Sequence, residues 1–315
     1  MNLIATSLGV RCDHCHVQSN PDLSRTPANV GGWVWDSDEK LPKRRAREMM
    51  KMVVELNSSR FKGESKVTCY TCHRGATQPS RLPTLPPASD NWRAPARITF
   101  PSADRVWDAY RAAVGRVDAG AGTGIVMRGW DERSEGRYGR VEITVAESDR
   151  YRLTLTSPEG TTNQGIDEDG PWGAINDRLL RFTSPGEVAR IRRIAMRYQP
   201  VKEQAPGMRT VALERLPDFD AYVLEGRFDS LTTRRAYFDV VTGLLRREIT
   251  TIETLLLPLE EQVDYDDYRD VNGVKMPFRI RISDGAPYST TTRTIMEIQR
   301  NVSINDSVFR PPSSR

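Results

Sequence analysis

The sequence predicts an α+β protein of two unequal parts: a small α-helical domain over residues 1–78 and a mainly antiparallel β-domain over residues 98–315. Three observations predict it. Apolar residues ahead of position 60 recur at helical spacing, whereas beyond about Ile98 they alternate with polar residues, as on half-buried strands. Between the two patterns, Pro79, Pro83, Pro86, Pro87 and Pro95 make a stiff, extended linker over residues 79–97. A length of 315 residues also suits about two domains.

The elements follow in order. Met1, Ile4, Ala5 and Leu8 share one helical face, and Gly9 ends that run three residues before Cys12. Residues 21–40 read as a loop, with Pro21, Pro27 and Gly31-Gly32. Pro42 suits the first turn of a second helix running to about Asn57, along which Ala46, Met49, Met50, Val53 and Leu56 keep helical spacing. Past the linker, Val141, Ile143 and Val145 alternate with polar neighbours, as do Tyr151, Leu153 and Leu155.

One helix interrupts the strands, and the sheet should carry one or two. Ser184 is its N-cap, Pro185 its first residue and Glu187 the closing member of a capping box. Val188, Ile191, Ala195 and Tyr198 form its inner face, and Pro200 ends it. Thr242-Gly243 marks a turn between strands Ala236–Val241 and Leu244–Thr251. Asn272-Gly273 is a two-residue hairpin turn between Tyr268–Val271 and Val274–Ile282. Asp264, Asp266, Asp267 and Asp270 read as hairpin surface, because a calcium loop aligned on Gly273 would need its first Asp where Tyr268 stands. Asp167-Glu168-Asp169-Gly170 reads as a turn.

The chemistry is concentrated before the linker. Cys12-Asp13-His14-Cys15-His16 and Cys69-Tyr70-Thr71-Cys72-His73 use all four cysteines and all three histidines. This is the C-x-x-C-H pattern of covalent c-type haem attachment, present twice. Two thiols add across the porphyrin vinyl groups, and the adjacent His binds the iron. A zinc ribbon would need a shorter interval between the pairs, and a thioredoxin-like pair would need a βαβ setting. Two disulfides would leave the paired histidines unexplained. The expected cofactors are therefore two covalently bound haems, held through Cys12, Cys15, Cys69 and Cys72, with His16 and His73 as iron ligands. The only spare histidine, His14, is too close to its own attachment point to reach across that haem. Methionine is then the natural sixth ligand. Met1 lies upstream of the first motif, and Met49, Met50 and Met52 upstream of the second.

Two segments carry a resemblance. Met1-Asn-Leu-Ile-Ala-Thr-Ser-Leu-Gly-Val-Arg-Cys12 is one; Ala46-Arg-Glu-Met49-Met-Lys-Met52-Val-Val-Glu-Leu-Asn57, with Val67-Thr-Cys-Tyr-Thr-Cys-His-Arg-Gly75, is the other. Both resemble the haem segments of the photosynthetic reaction-centre cytochrome c subunit. In that family a helix lies along the haem, donates a Met, turns and delivers C-x-x-C-H. The resemblance implies His16/Met1 and His73/Met49 as axial pairs, with Met52 as the fallback for the second iron. It covers roughly residues 1–80, with two haem segments where that family has four, so a dihaem relative in another electron-transfer chain is equally implied. The remainder is faintly similar to the LolA-like lipoprotein-carrier fold, a curved antiparallel sheet with helices across its concave face. That similarity rests on Thr242-Gly-Leu-Leu-Arg and on the run from Glu261 to Phe278.

Other signals are weaker. Lys40, Lys43, Arg44, Arg45 and Arg47 read as a solvated helix face, with haem propionates or an acidic redox partner as the alternative. Arg11 and Arg74 flank the motifs as further propionate candidates. The net charge is +4, which the four propionates of two haems, about −4 in all, would nearly cancel, so nucleic acid is not an expected partner.

Haem attachment of this kind takes place outside the cytoplasmic membrane, so a periplasmic or cell-envelope location is expected. Residues 1–10 lack the basic start, apolar core and cleavage site of an export signal. The natural chain is therefore expected to begin upstream of Met1, with a signal or anchor that would bring it to a membrane-associated complex. The expected function is electron transfer between redox proteins as donor and acceptor, with no catalytic residues. A dihaem peroxidase, or an envelope ligand-binding protein with accessory haem, is the alternative.

Overall fold

The computed structural model describes residues 2–18, 33–79, 100–115, 123–134, 136, 138–146, 150–175, 178–198, 207–228, 230–253, 258–283 and 290–312. Met1 and residues 80–99, which hold most of the Pro-rich linker and the boundary expected there, lie outside them.

The N-terminal part is helical. Helix α1 (Asn2–Leu8) ends at Gly9, whose φ of +65° suits glycine. Helix α2 (Cys12–Cys15) and the two-residue strand β1 (Val17–Gln18) follow, and β1 pairs antiparallel with β2 (Trp33–Val34). Helix α3 (Leu41–Arg60) has Pro42 in its first turn and runs three residues past the expected Asn57, to a turn at Lys62 and Gly63 that leads to α4 (Cys69–His73). Helix α1 packs on α4, and α2 packs on α3. At the first of these seams the Gly75 N–H donates to the Ser7 carbonyl (2.9 Å), and a Cβ on Gly9 would stand 2.1 Å from the Gly75 oxygen.

The C-terminal part is one open antiparallel sheet of thirteen strands. Six strands, from β3 (Thr123–Arg133) to β8 (Arg178–Arg181), form one meander, and seven, from β9 (Arg209–Arg215) to β15 (Thr291–Ser303), form another. Pairing of β3 with β15 joins them into a single sheet. Asn272 and Gly273 adopt φ of 53° and 78°, the left-handed pair that a two-residue turn requires. The turn at Thr242-Gly243 is wider than expected. The Asp239 carboxylate accepts from the Val241 and Thr242 N–H groups (2.8 and 2.9 Å), which ends that strand at Asp239 instead of Val241.

Two helices cover one face of the sheet. Helix α6 (Pro185–Met196) is capped by Ser184, whose hydroxyl accepts from Glu187 N–H (3.3 Å) and donates to the Glu187 carboxylate (2.6 Å). The reciprocal bond thus closes on the hydroxyl, not on the cap's N–H. Ile191, Ile194, Ala195 and Tyr198 are buried, and Val188 is half-buried. Helix α5 (Ala103–Val114) falls where strands were expected. Ser102 caps it, and Val106, Trp107, Tyr110 and Val114 are buried, with the Trp107 and Tyr110 rings 5.7 and 5.4 Å from that of Phe238.

A buried ion pair locks the junction of the two meanders: Arg293 on β15 donates twice to Asp131 on β3 (2.6 and 2.7 Å), beneath the Tyr198 hydroxyl. The acidic residues of the hairpin that turns at Asn272-Gly273 are hydrogen-bond and ion-pair partners within the fold, with Asp264 half-buried. Asp264 pairs with Arg247 and Arg281, Asp266 with Arg246 and Arg279, and Asp267 with Arg269, while Asp270 accepts from Gly273 N–H. No helix among the described residues is long and apolar enough to cross a membrane.

Candidate functional site

Both C-x-x-C-H motifs form a single helical turn, which sets the two thiols of each three residues apart on one side. In the second motif, Thr68 and Thr71 form a reciprocal cap that starts α4 at Cys69. The approach to it is fixed by Asn57, which is buried and bonds the Val67 backbone through both amide atoms (2.8 and 2.9 Å). The His73 Nδ1–H donates to the Ala76 carbonyl (3.0 Å), leaving Nε2 free to bind a metal.

The first motif is built differently. His16 is 5% exposed, and neither ring nitrogen has a hydrogen-bond partner. Burial is the first cause of its lowered pKa, followed by Lys43, Lys40 and Arg47; the nearby Trp35 backbone opposes them slightly. An orphaned buried imidazole is costly unless something binds it. The short β1–β2 ladder returns the chain to His16, placing the Trp35 ring edge-on at 4.7 Å, with Trp33 stacked behind at 5.7 Å. Sequence reasoning passed over these tryptophans; Trp33-Val-Trp35 inside an otherwise polar loop is the signal that marked them.

The basic cluster is the expected solvated face at Arg44, Arg45 and Arg47, which are exposed, but not at Lys43. Lys43 is buried, its ammonium donating to the carbonyls of Trp35 (2.5 Å) and Ser37 (2.7 Å), with Asp38 at 3.5 Å. Lys40 donates to the Asp13 carbonyl inside the motif, Arg44 to the carbonyls of Asp38 and Glu39, and Arg47 to the Asp38 carboxylate. Arg45, like Arg11 and Arg74, is exposed.

All four cysteines are unpaired thiols. Cys12, Cys15 and Cys69 are half-buried, and burial is the leading cause of their raised pKa values; Cys72 is exposed. Met49 and Met52 stand one helical turn apart on α3, 50% and 49% exposed, so exposure does not separate them as ligands. Met50 is half-buried, and the Met1 assignment lies outside the described residues.

Among the described residues up to 79, Val53 is the only buried apolar side chain. Trp35, Leu41, Met49, Met52, Leu56, Phe61 and Tyr70 are exposed in the same stretch. Such a segment has no core made of residues alone. Free thiols at the right spacing, an orphaned imidazole, a second imidazole with Nε2 free and uncovered apolar surface all fit covalently bound haem.

A cavity lies between the two helices and the sheet, lined by Tyr110, Arg197, Tyr198, Arg234, Tyr265 and Met276 among others. Two of its arginines are paired within the fold, Arg234 with Glu248 and Arg197 with Glu261, and the Tyr265 hydroxyl donates to Glu248 (2.7 Å).

Residues 28–97 match the family model of the photosynthetic reaction centre cytochrome C subunit. The match takes in α3 and the second motif; the first motif precedes it. No curated protein matches the chain. Among solved structures, the chain is similar to a LolA superfamily protein from Nitrosomonas europaea at 12% identity, covering 67% of this chain and 99% of that one, with a TM-score of 0.46. It is also similar to a DUF1329 family protein from Desulfovibrio piger at 13% identity, covering 60% and 88%, with a TM-score of 0.40.

Proposed function

We propose that this chain is an exported c-type cytochrome that carries electrons on two covalently bound haems and passes them between redox proteins. One observation carries the reading: two C-x-x-C-H turns whose four thiols are unpaired, one ending in a buried imidazole with no partner at either nitrogen. The match of residues 28–97 to a cytochrome subunit supports it.

When bound, haem supplies an iron that gains and loses one electron. The chain does the rest. Cys12 and Cys15, and Cys69 and Cys72, would tether the two groups, and His16 with Met1, and His73 with Met49, would hold the two irons. Ala76 orients His73, while Trp35 screens His16 from water. The β-domain has a supporting role, and its cavity, in which Arg197 and Arg234 are already paired with Glu261 and Glu248, favours partner or ligand binding over catalysis.

The competing enzyme reading is a peroxidase, which needs one open iron face and an acid–base group beside it. With Met on both sixth positions, oxidised holoprotein should be wholly low-spin and turn over peroxide negligibly while exchanging electrons quickly with small redox proteins. Rapid peroxide reduction with a high-spin ferric site would favour the enzyme.

A further inference from the structure

The two motifs have different surroundings, and the differences act in one direction. Ferric haem carries one positive charge more than ferrous haem. Burial, a nearby fixed cation and a weaker imidazole donor therefore each favour the reduced state and raise the potential. His16 has all three. It is buried, and the Trp35 backbone beside it is not aligned for a hydrogen bond to either ring nitrogen, whereas His73 has an aligned carbonyl acceptor. The Trp35 ring that lies against it belongs to the residue whose carbonyl binds the buried Lys43 ammonium. The carboxylates nearby, Asp13, Asp36, Asp38 and Glu39, are exposed, so solvent and salt screen them more than they screen Lys43. His73 has the opposite setting. It is only half-buried, its Nδ1–H donates to Ala76, and the charged residues of its turn, Glu64, Lys66 and Arg74, are all exposed or half-exposed, with Glu64 and Lys66 paired to each other.

Building on the dihaem reading, we propose that the haem held by His16 is the high-potential site and that Lys43 is the positioning residue that sets it. A single electron on the protein then rests at the first motif, and the more exposed second motif is where it enters or leaves. Two properties of Lys43 matter: its charge, and its grip on the loop that seats Trp35.

The test is a redox titration of the full-length holoprotein followed by absorbance. Cys12→Ser/Cys15→Ser and Cys69→Ser/Cys72→Ser variants assign each midpoint to its motif. The proposal expects the His16 haem to have the higher midpoint. Lys43→Met should lower that midpoint alone, shifting the electron's distribution between the haems about tenfold, which is ~59 mV for a one-electron couple. Lys43→Arg should largely restore it. The proposal is overturned if the His73 haem has the higher midpoint, or if Lys43→Met leaves the upper midpoint in place while haem content is retained. A holoprotein without two covalent haems would instead defeat the dihaem reading, and haem content measured beforehand tells the two failures apart.

Discussion

His16 and His73 occupy the same place in the same five-residue pattern, yet one is buried without a partner and the other is tied to a carbonyl. The spacing of Cys and His was legible because it is local chemistry. Their surroundings were not, because Trp35 and Lys43 reach His16 through a loop whose polar composition hides its packing. Lys43 shows the limit most plainly: within a run of basic residues nothing marks one as buried. The methionines are the residues left to decide. Replacing Met49 by Ala should abolish one Met–iron charge-transfer band and lower one midpoint potential, leaving the other unchanged. If Met52→Ala has that effect and Met49→Ala has none, the ligand lies one helical turn further along α3.

The seam between α1 and α4 makes a prediction at the scale of elements. Gly9 and Gly63 both have positive φ, but a Cβ on Gly9 meets the Gly75 oxygen, whereas one on Gly63 meets nothing within 4 Å. Each substitution to Ala costs about 1–2 kcal/mol for the left-handed backbone. Gly9→Ala must in addition part the two helices, so thermal melts of the holoprotein should show a clearly larger loss of Tm for Gly9→Ala than for Gly63→Ala. Equal losses would mean that the seam contributes little. The hairpin at Asn272-Gly273 and the Ser184 cap were readable because each is fixed by a few adjacent residues. Helix α5 was not, because its Ser102 cap follows a proline and precedes only three turns, between a Pro-rich stretch and a long run of alternation. The joining of β3 to β15 is a pairing of residues more than 150 positions apart, and no local pattern announces it.

For the whole molecule, the helical part and the thirteen-stranded sheet have separate causes: one lacks a core of its own residues, and the other has a large one. If the Pro-rich stretch is a linker, a fragment ending at Ser80 should keep both haems and their potentials, and a fragment from Ile98 should fold without haem. Loss of a haem from the first fragment would mean that the sheet helps to build a haem pocket. The most direct measurement is haem retention. Protein made in a host competent in cytochrome c maturation, then denatured and extracted with acidified solvent, should keep two haems per chain, and one after Cys12 and Cys15 are both replaced. Release of all haem into the solvent would contradict the account.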